Sequence, residues 1–256
     1  MLGSFAEGRL LGERAGTAAP SVLALHGWAR THRDFARVLA PSEGEALDSI
    51  ALDLPGFGAA PPPPEAWGSR QYAELVAEVL DEMATPIVVL GHSFGGRVGV
   101  ELAALRPELV GGLVLTGVPL LRTRRPPRPA LGFRVARRLA GFGLVSAAKM
   151  EELRHRFGSA DYRAAEGVVR DVLVKVVNER YEATLGAVRC PVDLVWGELD
   201  EVAPVGVASS VADRLGAQAR VTVLAGVGHM VPLVAPEALR SAVLDRLAAG
   251  QPPSTP

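Results

Sequence analysis

Three side chains that together could attack a carbonyl group, Ser93, Asp200 and His229, each follow a short apolar run. A serine hydroxyl alone is a weak nucleophile at neutral pH, but a histidine close to its own pKa can take the hydroxyl proton during attack and return it to the leaving group. A carboxylate on the other ring nitrogen would hold the imidazole in the required tautomer. These residue types predict acyl chemistry, with Ser93 as nucleophile, His229 as general base and Asp200 as the acid.

Ser93 lies in the sequence Gly91-His92-Ser93-Phe94-Gly95, between an apolar run and a segment of helix-forming composition. Residues 87–90 are typical of a strand buried on both faces, and the helix predicted over 94–105 is stopped by Pro107. A helix that starts at the serine would turn its backbone N–H groups toward a developing negative charge. Taken alone, the motif could also be a glycine-rich turn with an idle serine.

The rest of the sequence alternates between short apolar runs and longer segments of helical periodicity. Strands are predicted at residues 21–25, 49–52, 87–90, 113–115, 192–196 and 221–224, with a short edge strand over 4–11. Helices are predicted over 69–83, 94–105 and 236–249. Alternation of this kind predicts an α/β fold with a mostly parallel, doubly wound sheet, whose strands would deliver all three side chains to one edge.

For two of these helices the sequence also predicts a capping residue or a buried face. Ser69 is predicted as the N-cap of the first helix, because a serine hydroxyl can accept a hydrogen bond from the first turn. In the last helix, Leu239, Val243, Leu244 and Leu247 recur at helical spacing and are expected to face the core.

The alternation of strand and helix is lost between residues 119 and 186, where the chain becomes polar and helical. We expect a core of residues 1–118 and 187–250, a helical cap of residues 119–186 inserted over the site, and a flexible tail of residues 251–256. The cap contains an arginine cluster of Arg122, Arg124, Arg125, Arg128, Arg134, Arg137 and Arg138. A solvated face explains such a cluster most simply, and a docking surface for an acidic carrier protein or substrate is the alternative.

The composition excludes several classes of protein. With 256 residues, 48% of them hydrophobic, the chain can bury one sizeable core, and its net charge of -1 disfavours a nucleic-acid partner. Cys190 is the only cysteine, so no intrachain disulfide can form. No apolar stretch reaches bilayer-spanning length and no leader pattern opens the chain, so we expect a soluble, cytoplasmic protein. No Cys or His spacing indicates a metal, and no phosphate-cradling loop indicates a nucleotide cofactor.

Taken in chain order, the motifs resemble those of the α/β-hydrolase fold family. The matching segments are His26-Gly27-Trp28, Asp53-Leu54-Pro55-Gly56-Phe57-Gly58, the nucleophile elbow Gly91-His92-Ser93-Phe94-Gly95-Gly96, Trp196-Gly197-Glu198-Leu199-Asp200 and Gly226-Val227-Gly228-His229. The resemblance implies an oxyanion hole built from the backbone N–H groups of Trp28 and Phe94, and a serine hydrolase that needs no cofactor. Relatives with an aspartate nucleophile, such as haloalkane dehalogenases and epoxide hydrolases, do not match at Ser93.

Other ionisable residues lie near these motifs, and the sequence indicates a role for each of them. Glu198 is the alternative acid, ranked second because it would lie nearer the strand than Asp200. His26 and His92 are expected to have structural roles, and His32 is expected to face solvent.

Asp53 precedes a Pro-Gly turn, and a structural role in that turn is expected for it.

The main functional hypothesis is hydrolysis of a small carboxylic ester, thioester or related acyl bond through an acyl-enzyme. The same three residues would also serve an acyltransferase or a perhydrolase, because an acyl-enzyme can be intercepted by an acceptor other than water. A non-catalytic ligand receptor on the same fold is the hypothesis from another class. The expected partner of the enzyme is a small-molecule acyl substrate, whereas the receptor would use its pocket for a hormone-like ligand or a protein partner.

Overall fold

The structure is a computed structural model that describes residues 2–41, 44–81, 86–121, 145–146, 149, 152 and 159–250. An eight-stranded sheet runs through these residues in the order β1-β2-β4-β3-β5-β6-β7-β8. The strands are β1 (Leu2–Phe5), β2 (Leu10–Ala15), β3 (Val22–Leu25), β4 (Ser49–Asp53), β5 (Ile87–His92), β6 (Val110–Thr116), β7 (Val192–Gly197) and β8 (Ala219–Leu224). Neighbouring strands from β4 to β8 pair in parallel, which confirms the mostly parallel α/β sheet.

The N-terminal segment differs from the predicted single edge strand over residues 4–11. The chain forms a hairpin in which β1 pairs antiparallel with β2, and β2 pairs antiparallel with β4. A short 3-10 turn at Ala6–Gly8 reverses the chain, and all three of its residues have positive φ values. Two of them are not glycine, so local composition did not indicate the turn.

Helices cover both faces of the sheet. The described helices are α1 (Ala36–Leu39), α2 (Ser69–Leu80), α3 (Phe94–Leu105), α4 (Ala160–Ala164), α5 (Gly167–Val176), α6 (Glu182–Ala187), α7 (Val205–Leu215), α8 (Val231–Val234) and α9 (Pro236–Gly250). One buried cluster joins the sheet to α2, α3 and α7, and the other joins it to α1, α8 and α9. Strand residues alternate between the clusters, as Val88 and Val89 do, because successive side chains of a strand point to opposite faces.

Two expectations about the helices are corrected by the structure. Gly68 is the N-cap of α2 and Ser69 is its first helical residue, so the Ser69 hydroxyl does not cap the helix and instead donates to Glu179 Oε2 at 2.7 Å. In α9, Leu239 and Val243 are buried as expected, but 44% of Leu244 is exposed. A helix buries only one stripe of its surface, and Leu244 lies at the margin of that stripe.

The described part of the expected cap consists of α4, α5 and α6, which lie between β6 and β7 in the chain. Arg97 on α3 donates from Nη1 to the carbonyl of Val176 at 2.8 Å and from Nη2 to the carbonyl of Pro119 at 3.0 Å. The Ser69 N–H at the start of α2 donates to Glu179 Oε1 at 2.9 Å. These bonds attach the second half of residues 119–186 to the helices beside the sheet.

Several expectations fall on parts of the chain that the structure does not describe. The arginine cluster at 122–138, the tail 251–256 and the end of the helix predicted over 69–83 lie wholly or partly outside the described residues. The division into core and cap therefore stays a prediction. Within the described ranges, no helix combines the length and the apolar composition needed to cross a membrane.

Candidate active site

Ser93 occupies the turn between β5 and α3. Its backbone has φ 49° and ψ −111°, a conformation that is strained for any residue except glycine. The Ser93 N–H donates to the carbonyl of Thr116 at 3.0 Å, and the N–H of Gly95 donates to the carbonyl of His26 at 2.9 Å. Neighbouring strands therefore hold the strained turn in place and leave the Ser93 side chain half-buried at the sheet edge.

Glycine is required at both flanking positions of this turn. A Cβ atom at Gly91 would meet the Cα of Gly96, and one at Gly95 would overlap the carbonyl oxygens of Leu25 and His26. The requirement thus arises from the close approach of α3 to the ends of β3 and β5.

Asp200 and His229 meet beyond the ends of β7 and β8. His229 Nδ1 donates to Asp200 Oδ2 at 2.8 Å, and Asp200 Oδ1 accepts the N–H groups of Val202 at 2.9 Å and Ala203 at 2.8 Å. The Asp200 side chain is fully buried, whereas 19% of the His229 side chain is exposed. Nδ1 carries the hydrogen that it donates in the hydrogen bond to Asp200. Nε2 is therefore the ring nitrogen with a free lone pair in the neutral imidazole.

Glu198, the alternative acid, points elsewhere. It is exposed, and its Oε2 accepts the N–H of Gly226 at 2.9 Å. Nδ1 of His229 is already bound by Asp200. The structure therefore pairs the histidine with the acid that the sequence ranked first.

Packing between the strand ends brings His229 close to the turn that contains Ser93. The rings of His229 and His92 are 4.9 Å apart between centroids, and His92 directly precedes Ser93. A Cβ atom at Gly117, which follows the Thr116 carbonyl that binds Ser93, would lie 2.8 Å from His229 Cε1 and 3.1 Å from Asp200 Oδ2. Among the described residues, however, no hydrogen bond joins the Ser93 hydroxyl to His229.

The two N–H groups expected to bind an oxyanion flank this serine. Phe94 is the first residue of α3, and Trp28 follows Gly27, where a Cβ atom would lie 3.4 Å from the Cβ of Ser93. Neither the Trp28 N–H nor the Phe94 N–H donates a hydrogen bond to any residue that the structure describes. Unpaired N–H groups beside a serine are suited to donate hydrogen bonds to a ligand oxygen.

His26 holds the loop that contains Trp28. Its Nδ1 donates to the carbonyl of Gly27 at 2.7 Å, and its Nε2 accepts the N–H of Leu54 at 3.0 Å. Burial lowers the pKa of His26, and both ring nitrogens of the neutral form are satisfied. The structural role expected for His26 is confirmed.

Asp53 connects the same loop to the turn after β4. Its Oδ1 accepts the N–H of His32 at 2.7 Å and Nδ1 of His32 at 2.8 Å, and its Oδ2 accepts the N–H of Ala59 at 2.9 Å. Burial opposes ionisation, but the backbone bonds from His32 and Ala59 hold the pKa of the Asp53 carboxyl below its usual range. The structural role of Asp53 is confirmed, whereas the prediction that His32 faces solvent is wrong, because only 6% of it is exposed.

His92 has a contact that sequence reasoning missed. Its Nε2 lies 3.1 Å from the carbonyl oxygen of His229, so Nε2 carries the hydrogen and donates it. Nδ1 is buried without a hydrogen-bond partner among the described residues. Burial, together with the nearby His229, lowers the pKa of His92 to about 4. No local pattern signals this contact, because the two histidines are 137 positions apart.

A cavity of about 110 Å³ opens beside Ser93. Its walls include the side chains of Phe94 and Trp28 on the sheet side and of Leu173 and Val177 from α5 and its C-terminal end. In the described ranges, no group of three or more His, Cys, Asp or Glu residues could hold a metal ion. The site therefore offers a serine, a paired histidine and an apolar recess.

Known proteins match this chain both in sequence and in fold. The profile of the alpha/beta hydrolase family matches residues 22–242. Lipase LipV of Mycobacterium tuberculosis is 30% identical over 268 residues, covering 92% of this chain and 96% of that protein. The pimeloyl-[acyl-carrier protein] methyl ester esterase of Chromobacterium violaceum is 28% identical, covering 77% and 82% respectively. The solved structure of a thermophilic esterase from Thermogutta terrifontis shares the fold, with a TM-score of 0.69 at 23% identity over 95% of this chain and 94% of that one.

Proposed function

The chain belongs to the alpha/beta hydrolase family and is an enzyme that acts on esters, and we propose that Ser93 is its nucleophile, His229 its general base and Asp200 the acid that orients His229. The substrate in this proposal is a small carboxylic ester, thioester or related acyl compound. The main observation in support is the 2.8 Å hydrogen bond from His229 Nδ1 to the buried Asp200. This pair lies near the strained turn that contains Ser93.

In the first half of the reaction, His229 Nε2 takes the hydroxyl proton of Ser93 as the Ser93 oxygen attacks the carbonyl carbon. The N–H groups of Trp28 and Phe94 donate to the negative oxygen of the tetrahedral intermediate. His229 then passes the proton to the leaving oxygen or sulfur, and the alcohol or thiol departs from the acyl-enzyme. Asp200 stabilises the imidazolium whenever it forms, by accepting the hydrogen bond from Nδ1.

In the second half, water replaces the leaving group and the same steps run in reverse. His229 takes a proton from water as its oxygen attacks the acyl carbon, and returns that proton to Ser93 as the acid is released. Catalytic hydrogen bonds are often long without substrate, and we expect the Ser93 hydroxyl to reach about 2.6–3.2 Å from His229 Nε2 in the substrate complex.

A fluorophosphonate probe tests the assignment of the nucleophile. We expect the probe to label Ser93, because the activated hydroxyl attacks phosphorus as it would attack a carbonyl carbon. Labelling should be absent in Ser93→Ala and strongly slowed in His229→Ala, as measured by mass spectrometry of the labelled peptide. A folded wild-type protein that takes up no probe, or that takes it up at another residue, would contradict the proposal.

Replacing His92 by phenylalanine is expected to lower kcat by about 10²-fold with little change in KM. Phenylalanine fills a similar volume but cannot donate to the carbonyl of His229, so the catalytic imidazole loses a restraint on its position. In His92→Gln the amide nitrogen can replace Nε2 as donor, and most of the activity should return. An unchanged kcat in His92→Phe, equal losses in both variants, or a loss confined to KM would contradict a positioning role for this hydrogen bond.

His92→Phe should also change how the free energy of unfolding depends on pH. The native pKa of His92 is lowered to about 4 by burial and by His229, whereas an unfolded histidine titrates near about 6.5. As the pH falls from about 6.5 to about 4, the unfolded chain binds a proton at His92 that the native protein does not bind. The free energy of unfolding therefore decreases across this range. His92→Phe should lose less stability across this window, as measured by denaturant unfolding at each pH, while His26 contributes equally to both proteins.

A further inference from the structure

Two cavities of different size share lining residues, and the smaller one is lined by Ser93. The inner cavity, of about 110 Å³, is bounded by Ser93 and apolar side chains such as Leu173 and Val177. The outer cavity, of about 440 Å³, lies between the loop 28–31, the turn 56–58 and residues of α4 and α5. Trp28 and Asp161 line both cavities, so the two cavities adjoin at these residues.

The position of His229 indicates which part of an ester enters the inner cavity. The leaving group has to lie within reach of His229, since that residue protonates it. His229 is not among the residues that line the inner cavity, whereas Ser93, Trp28 and Phe94 are. The inner cavity therefore lies on the acyl-chain side of the carbonyl carbon, away from the leaving group.

The size of the inner cavity indicates how much of an acyl chain it can hold. A cavity of about 150 Å³ holds one benzene molecule, so by the same packing the inner cavity holds about four carbon atoms. Phe94, Leu173 and Val176 are buried, and with Val177 they give the cavity an apolar lining that suits an alkyl group. Arg97, a cation at the wall of this cavity, directs its guanidinium to the carbonyls of Val176 and Pro119.

We propose that the inner cavity is the acyl site and restricts the enzyme to short, uncharged acyl groups of about four carbon atoms, and that Asp161 keeps longer chains out of the outer cavity. This inference rests on the proposed function, because it requires an acyl-enzyme at Ser93. Asp161 is exposed in the first turn of α4, so its carboxylate is accessible to water. An apolar chain that passed it would strip water from the carboxylate, which costs free energy. A chain ending in a carboxylate would in addition be repelled.

The test measures kcat/KM for p-nitrophenyl acetate, butyrate, hexanoate and octanoate. For the wild type, butyrate should exceed octanoate by at least about tenfold. In Asp161→Leu the ratio of octanoate to butyrate should rise by about tenfold or more, because the chain then extends into the outer cavity without desolvating a charge. Asp161→Asn keeps the shape of the wall and removes the charge, so its ratio should fall between those of the wild type and Asp161→Leu.

Glu166→Leu is the matched control. Glu166 is an exposed carboxylate that lines only the outer cavity, so its replacement should leave the ratio unchanged. A wild type that prefers octanoate, or an Asp161→Leu ratio equal to that of Glu166→Leu, overturns the inference while leaving the serine hydrolase intact. Failure to cleave any of the esters, together with an unlabelled Ser93, would instead reject the proposed function.

Discussion

Replacing Ser93 by alanine is expected to lower kcat for ester hydrolysis by about 10⁶-fold. In the proposed mechanism no acyl-enzyme can form without the hydroxyl, because His229 and Asp200 would have no nucleophile to activate. The remaining rate would come from water attacking a carbonyl polarised by the Trp28 and Phe94 N–H groups. Initial rates with p-nitrophenyl butyrate give the measurement. A Ser93→Ala enzyme that keeps about a hundredth of wild-type activity would show that another residue is the nucleophile, because a residual rate that high exceeds what binding and an oxyanion hole supply.

Ser93→Gly is the matched control for folding. The serine backbone has φ 49°, which glycine adopts without strain. This variant should be as inactive as Ser93→Ala and at least as stable as the wild type in thermal melting. Low activity in a protein with raised stability separates loss of chemistry from loss of fold.

Replacing Asp200 by asparagine is expected to lower kcat by about 10⁴-fold. The amide oxygen can still accept the N–H groups of Val202 and Ala203, so the local fold is retained. The amide nitrogen then faces His229 Nδ1 as a donor, which forces the ring hydrogen onto Nε2. In that tautomer His229 cannot accept the Ser93 proton. Steady-state kinetics across the pH range, with KM measured separately, would detect the loss in kcat.

Glu198→Gln provides the comparison for this acid assignment. Glu198 is two residues from Asp200 but is exposed and bound to the N–H of Gly226. Its replacement should change kcat by no more than about twofold, as is usual for exposed polar substitutions. A large loss in Glu198→Gln with little loss in Asp200→Asn would mean that the acid is Glu198.

The sequence alone was sufficient for the features that depend on consecutive residues. Apolar runs ending at Ser93, Asp200 and His229 predicted strands that reach one edge of a parallel sheet, and the structure confirms the sheet. The glycines beside Ser93 predicted a tight turn from strand to helix. These signals are local, because strand periodicity, turn chemistry and helix stops all operate within a few positions. The family assignment follows from the order of the same local motifs.

Only the tertiary structure could determine contacts between distant segments. The bond of His92 to the carbonyl of His229, the burial of His32 against Asp53, and the choice of Asp200 over Glu198 as the partner of His229 all depend on how loops pack at the strand ends. Trp28 and Asp161, which both line the two cavities, also come from segments that are far apart in the sequence. Side-chain direction at such sites is fixed by strand register and loop geometry, which no local pattern of residue types encodes.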